Sequence, residues 1–291
     1  MSTSRRSIDL VLGTAQFQPE YGRSTRPHVG RKGMDASILR AAATVGVDAL
    51  DTAPVYGDAE TAIGAINNAI PVHTKIDPAL DPAASLTRSL DRLGRSHVEV
   101  LYVHSSAEVL LVTSPVLDAA AALVGERVGR LGVSVYEVDE FQAAVSDSRI
   151  EVVQAPLNLF DRRFTPELLY QAALTGTAVY ARSTLLQGVL SADPRLLRGS
   201  TAALRPYVGA FDDLARGLGK PRTELAFGWV RAHPGIAGVI AGADSVAQLD
   251  ELAAAFHGPL LDDEVLLQLA DLPEPPWDLC DPRRWSTGKS R

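Results

Sequence analysis

The chain has 291 residues, 46% of them hydrophobic and 22% charged, which is enough apolar material for one barrel-sized domain or two ordinary ones. A formal charge of −7 argues against nucleic acid as a partner, because nucleic-acid binders need a concentrated basic face. The single cysteine, Cys280, excludes an internal disulfide and a multi-cysteine metal site; no apolar run approaches the ~20 residues of a membrane span, and MSTSRRSIDLVLG lacks a signal-peptide core, so a cytoplasmic protein with no membrane partner is expected.

In chain order, Ile8–Gly13 (IDLVLG) reads as a short strand, followed by a Gly-, Pro-, Arg- and Ser-rich loop through Gly33 that carries Arg23, Arg26 and His28. Asp35 then stands as the cap of a helix over Ala36–Val45, and the apolar run from Val45 to Leu50 ends on Asp51. A Pro- and Gly-bracketed turn presents Tyr56, and a helix follows over Glu60–Ala69. Pro71–Ile76 is a strand with Lys75 near its end; Asp81–Gly94 is a helix with Pro82 in its first turn and Gly94 as its stop; Val98–Val103 is a strand ending at His104.

The alternation continues with a helix over Pro115–Gly125, a strand over Arg130–Val135 and a helix over Val138–Val145. Ile150–Pro156 and Ala178–Ser183 are strands on either side of a helix over Pro166–Leu174. Helices over Leu204–Leu218 and Arg222–Ala232, a strand over Gly235–Ile240 and a helix over Ser245–Phe256 complete the series. Eight strands, apolar on both faces and separated by helices, predict an α/β fold: an eight-stranded parallel (β/α)8 TIM barrel with an extra helix and a C-terminal tail, as a single domain spanning 1–291. Trp229, Trp277 and Trp285 are expected to be packing and tail-docking residues, and folding of the tail from Pro273 to Trp285 over the barrel mouth is the alternative left open.

Taken alone, Asp51 reads as a turn or cap residue, Lys75 as a solvated cation and His104 as a structural histidine. Together they are different, because a parallel barrel gathers the C-terminal ends of its strands at one mouth and these residues end strands two, three and four. An ammonium about 4 Å from a phenol, at an effective dielectric near 20, stabilises the phenolate by about 4 kcal/mol, on the order of three pKa units before desolvation is subtracted. Lys75 therefore makes Tyr56 a usable proton donor and acceptor, Asp51 orients Lys75, and His104 hydrogen-bonds a substrate oxygen. A proton donor without an activated nucleophile or a metal cluster suits reduction of a small-molecule carbonyl by a separate hydride donor. A catalytically idle, cofactor-binding barrel is the alternative, and a metal-dependent hydrolase using His73 and His104 stands third.

These same segments carry a resemblance. LGTAQF at Leu12–Phe17, LDTAPVYG at Leu50–Gly57, TK at Thr74 and Lys75, SLDRLG at Ser89–Gly94 and VH at Val103 and His104 occur in one order along the chain. GVS at Gly132–Ser134, VVQAPLN at Val152–Asn158, RSTLLQGVL at Arg182–Leu190 and VIAGADSVAQLDE at Val239–Glu251 follow them. The whole is similar to the aldo-keto reductase superfamily, and the LGTAQF…YG opening to a bacterial branch of it linked to sugar and secondary-metabolite pathways.

The resemblance implies that Tyr56 is the general acid, with Lys75, Asp51 and His104 completing a tetrad. It also implies cofactor contacts from Gly13 and Thr14, from Ser134 and Gln154 at the nicotinamide carboxamide, and from Arg182. Ser183, Leu185, Gln187 and Gly188 would lie along the pyrophosphate, and Gly242, Asp244 and Gln248 would lie at the adenosine phosphate. Three positions depart from the pattern. Val135 replaces an asparagine after the GVS serine, and Arg182 stands where many members stack a tyrosine under the nicotinamide. Asp244 occupies a position where NADP-preferring members place a base, so Arg222 or Lys220 would have to supply that charge. The family's habit still puts NADP(H) slightly ahead of NAD(H).

Overall fold

The computed structural model describes residues 8–18, 34–104 and 114–285. Its strands are β1 (Asp9–Gly13), β2 (Ala49–Asp51), β3 (Val72–Lys75), β4 (Val98–His104), β5 (Val128–Ser134), β6 (Val152–Pro156), β7 (Ala178–Arg182) and β8 (Ile236–Ala241). They pair in sequence order, all parallel, and β8 returns to β1 through Leu10↔Val239 and Val11↔Ile240, which closes the barrel. Closure leaves no edge strand.

Helices α1 (Met34–Ala42), α2 (Ala59–Ile66), α3 (Pro82–Leu93), α4 (Pro115–Ala121), α5 (Val138–Ser146) and α6 (Pro166–Thr175) follow the first six strands in turn. Two helices, α7 (Arg205–Leu218) and α8 (Arg222–Ala232), lie between β7 and β8. Beyond β8 come α9 (Val246–His257) and α10 (Asp263–Ala270). The best-signalled helix is α3: Asp81 accepts hydrogen bonds from the amides of Ala83 and Ala84, Pro82 fills its first turn, and Gly94 ends it at φ 60°.

Several boundaries differ from the sequence expectation. Asp35 is not a cap but sits inside the first turn of α1, where a carboxylate favours the helix N-terminus. That helix ends at Ala42, and Val45 and Gly46 form a turn in which Gly46 takes φ 81°, so β2 keeps only Ala49–Asp51 of the apolar run. The helix beginning at Pro115 ends at Ala121, because Val124 bridges to Val128 and draws Gly125 into the approach to β5. Helix α10 went unpredicted. The loop that carries Arg23, Arg26 and His28 lies outside the described residues.

Two apolar layers make the core. The outer one packs Leu10, Leu12, Leu50, Leu101 and Val103 of the strands against helix residues such as Ile38, Leu39, Leu86 and Leu90. The inner one fills the barrel with Val11, Ala49, Val100, Tyr102, Val152, Tyr180 and Ile240. Alternation along each strand fixes which residues turn inward, so the same parity that sends Ala49, His73 and Val152 to this layer sends Asp51, Lys75 and Gln154 to the mouth. Two glycines make room for the large rings: a Cβ on Gly132 would lie 2.5 Å from the Tyr102 ring, and one on Gly238 would lie 2.4 Å from the Tyr180 ring. His73 meets both rings edge-on, with centroids 6.1 and 5.2 Å away.

Candidate active site

Lys75 is the centre of the mouth. Its side chain is only 1% exposed, and Nζ donates to both Asp51 oxygens at 2.9 Å and to the Thr52 carbonyl at 2.9 Å. An ammonium so deeply buried would lose its proton without an anion, and burial does press its pKa down. Asp51, with help from Tyr56, outweighs burial and holds Lys75 above its ordinary value. Gln154 donates from Nε2 to Asp51 Oδ1 at 2.8 Å, which fixes the orientation of its amide, since only nitrogen can face a carboxylate. The Asp51 backbone is held as well: its carbonyl accepts from both the amide and the hydroxyl of Thr14, at 2.9 and 3.0 Å.

Tyr56 arrives from the loop after β2. The Tyr56 amide donates to the Ala53 carbonyl at 3.0 Å, Gly57 turns the chain at φ 61°, and the Ala59 amide donates back to the Tyr56 carbonyl at 3.2 Å. Helix α2 anchors this loop through buried Glu60, which accepts from Thr74 Oγ1 at 2.8 Å and pairs with Arg92 at 3.4 Å. The result puts the Tyr56 ring over Lys75, with 5.0 Å between Nζ and the ring centroid. The phenol and the ammonium thus share one pocket. Burial is nonetheless the largest influence on the phenol and raises its pKa, against the opposing charges of Lys75 and Arg182. Burial thus outweighs the acidifying influence of Lys75, and the phenol lies above its ordinary value.

The remaining sequence candidates lie at the ends of other strands and in the loops that follow them. His104 ends β4 with its backbone paired to Ser134, and its side chain lies outside the described residues. Ser134 and Gln154 are register partners at the ends of β5 and β6, and both are buried. Gly13 pairs with Asp51, and Arg182 ends β7, where it donates to the Val135 carbonyl at 2.8 Å and stacks on the Tyr136 ring at 4.0 Å. After β7 the chain bends sharply through Ser183 (φ 60°), Leu186 (φ 49°), Gln187 (φ 52°) and Gly188 (φ 87°). Three of the four non-glycine residues with positive φ among the described residues lie in this one turn, a concentration of strain typical of functional loops. The Leu185 carbonyl holds the bend by accepting from the Gly188 amide at 2.9 Å.

At the end of β8, Gly242 lies against Gln16, where a Cβ would fall 1.5 Å from the side-chain oxygen. The Asp244 amide donates to Gln248 Oε1 at 2.6 Å, and Ser245 caps α9 by accepting from the Gln248 amide at 3.1 Å. Lys220 and Arg222, the bases that would offset Asp244, already have acidic partners: Lys220 pairs with Glu224 at 2.5 Å and Arg222 with Asp212 at 3.2 Å.

Several contributors escaped the sequence reading. The Thr52 carbonyl carries no side-chain signal at all. Tyr102 has the same strand parity as His104, which would have revealed its place inside the barrel, where the ammonium of Lys75 stands 5.9 Å from its ring. Tyr136 and Arg283 are far apart in sequence, yet Arg283 stacks on the Tyr136 ring at 4.0 Å, on a tail that ion-pairs with Glu137 at 2.8 Å. The tail therefore docks on the loop after β5, beside Arg182. Among the described residues no group of three or more His, Cys, Asp or Glu side chains gathers as metal ligands would, and no helix is long and apolar enough to cross a membrane.

The aldo/keto reductase family model matches residues 9–272. The chain belongs to the aldo/keto reductase family. It is accordingly an NAD(P)H-dependent oxidoreductase. The chain is similar to a 6-dehydroglucose reductase from Novosphingobium aromaticivorans, with 29% identity over 261 residues that cover 78% of this chain and 82% of that protein. Among solved structures it resembles the glycerol dehydrogenase of Gluconobacter oxydans, with a TM-score of 0.69, 22% identity and 90% of each chain covered. It also resembles an aldo/keto reductase from Klebsiella pneumoniae in complex with NADP and acetate, with a TM-score of 0.70, 23% identity and coverage of 92% and 93%. At those identities the two structures establish a shared barrel.

Proposed function

We propose that this aldo/keto reductase reduces the aldehyde or ketone of a sugar-like small molecule, with Tyr56 as the proton donor. The observation that carries the proposal is the Lys75 ammonium, bidentate on Asp51 at 2.9 Å and 5.0 Å from the Tyr56 ring centroid. Tyr56 gives its proton to the carbonyl oxygen as negative charge develops there. Lys75 then faces the phenolate that remains, and Asp51 keeps Lys75 charged and in place throughout. Because Asp51, Gln154 and the Thr52 carbonyl all fix Lys75 before substrate arrives, little reorganisation accompanies the proton's departure.

The donor set suits a nicotinamide cofactor: hydroxyl and amide groups of Ser134 and Gln154 at adjacent strand ends, the sharp turn Ser183–Gly188, and the capped start of α9 with Gly242, Asp244 and Gln248. When bound, that cofactor supplies the hydride. We place NADP(H) slightly ahead of NAD(H), in line with the NADP bound to the Klebsiella relative, although Asp244 and the acid-paired Lys220 and Arg222 offer little to a 2′-phosphate. The sugar-like substrate follows the name of the Novosphingobium relative and the chain's LGTAQF opening.

Steady-state reduction of a panel of sugar-derived aldehydes and ketones with each cofactor tests the proposal. Turnover that disappears in Tyr56→Phe while the protein still binds NADPH, read by fluorescence titration, supports it. An idle cofactor-binding barrel predicts binding without turnover in the wild type.

A further inference from the structure

The charge of Arg182 reaches Tyr56 alongside that of Lys75, but the two cations are compensated differently. Lys75 is bidentate on Asp51, whereas among the described residues Arg182 has no carboxylate partner. Its guanidinium donates to the neutral Val135 carbonyl at 2.8 Å and lies 4.0 Å from the centre of the Tyr136 ring. Arg283 lies 4.0 Å from the same centre, and two guanidiniums so close to one ring can only take its opposite faces. The Arg283 charge is met by Asp281 and Glu137, each at 2.8 Å. Tyr136 is itself fixed, its amide donating to Glu140 Oε2 at 2.7 Å and its carbonyl accepting from Arg163 at 3.3 Å. The clamp therefore holds Arg182 in place and leaves its charge whole.

The ends of β5, β6 and β7 stand side by side: Ser134 pairs with Gln154, and Pro156 with Arg182. If Ser134 and Gln154 receive a nicotinamide carboxamide, as proposed above, the ring joined to it falls against the end of β7. That ring changes charge when it reacts, being neutral when reduced and cationic when oxidised. A planar guanidinium stacks on either form, but it repels only the oxidised one.

We propose that Arg182 makes this site discriminate between the redox forms of its cofactor, favouring the reduced over the oxidised, and that the C-terminal tail positions Arg182 for this through Arg283 and Tyr136. The proposal rests on the nicotinamide reading of the mouth. Its consequence is directional: from a mixed pool the site fills with reduced cofactor and lets the oxidised form go, which is the loading that a reductase needs. Arg283 is a positioning residue, acting by keeping the Tyr136 ring against Arg182.

Titration calorimetry without substrate tests this with three probes: NADPH, NADP+ and 2′-phospho-ADP-ribose, which lacks the nicotinamide. The same set is run with NADH, NAD+ and ADP-ribose. The wild type should bind the reduced form about ten- to a hundredfold more tightly than the oxidised, the worth of one partly screened charge at close range. Arg182→Met should lower that ratio about tenfold, chiefly by tightening the oxidised form, and Arg182→Lys should keep most of it because the charge remains. Arg283→Ala should lower the ratio severalfold. The fragment lacking nicotinamide should bind all four proteins alike, whereas a general loosening of the site would weaken it together with both dinucleotides. Equal affinity of the wild type for the two redox forms, a ratio unmoved by Arg182→Met, or a parallel loss for the fragment overturns the proposal and leaves the nicotinamide reading standing. A ratio unmoved by Arg283→Ala overturns the tail's part in it. Binding of neither NADPH nor NADH overturns the proposal and the nicotinamide reading together.

Discussion

The two ends of the barrel hold the same ingredients in a different order. At the floor, Tyr180 Oη donates to Asp9 Oδ2 at 2.6 Å, with Arg130 nearby and paired with Glu99 at 3.2 Å. At the mouth, Tyr56 faces Lys75, and the carboxylate of Asp51 lies on the far side of the ammonium. Each end therefore has a tyrosine, an acid and a cation. At the floor the phenol is bonded directly to the acid, and burial together with that bond pushes Tyr180 up to about 12, which fixes its proton in place. At the mouth the cation stands between acid and phenol, so the charge left by a departing proton has somewhere to be stabilised. On the proposed function, what separates the structural tyrosine from the proton donor is which neighbour each touches.

Exchanging the members of each set tests that contrast. The largest effect is expected for Tyr56→Phe, which removes the proton donor and should lower kcat by about a hundred- to ten-thousandfold, with NADPH affinity unchanged by titration. Next comes Lys75→Met, which leaves Asp51 buried without its counter-charge and should destabilise the fold by about 3–5 kcal/mol, read from urea denaturation. Retention of full stability in that variant would show that the pair is not what holds the mouth together.

Between the two ends lies His73, buried against Tyr102 and Tyr180, with burial lowering its pKa from 6.5 to about 4. The unfolded chain takes up a proton there before the folded one does, so stability should fall as pH drops from 6.5 to about 4 and lose about 3 kcal/mol to this group across that window. Denaturation curves of the wild type and His73→Gln between those limits check it, the variant giving the flatter acid limb. The smallest effect belongs to the floor. Tyr180→Phe should cost about 1–3 kcal/mol of stability by stranding Asp9, while kcat/KM stays within about twofold, since the mouth is a separate network.

Much of this was legible in the residues themselves. Eight strands, the cap and stop of α3 at Asp81 and Gly94, and the range of α8 carry strong local signals, and Asp51, Tyr56 and Lys75 announce themselves as polar groups at the ends of apolar runs. What was not legible depends on distance along the chain or on burial. The short reach of β2 is decided by the turn at Gly46, and α10 is hidden because its boundaries offer little beyond Asp262 as a cap. The sense of the Tyr56 shift depends on how much of the ring is shielded, which strand periodicity does not report. The pairing of Arg283 with Tyr136 joins the tail to β5 across half the chain, with no local pattern to mark it.

Ring closure through Leu10↔Val239 and Val11↔Ile240 has a consequence for biosynthesis. A ribosome completes Asp51, Tyr56 and Lys75 early, yet the staves that enclose them stay open along β1 and β7 until Ile236–Ala241 emerges. Those two unpaired borders are open to strangers during that interval, so the last strand acts as the latch that both finishes the vessel and ends its exposure to mispairing.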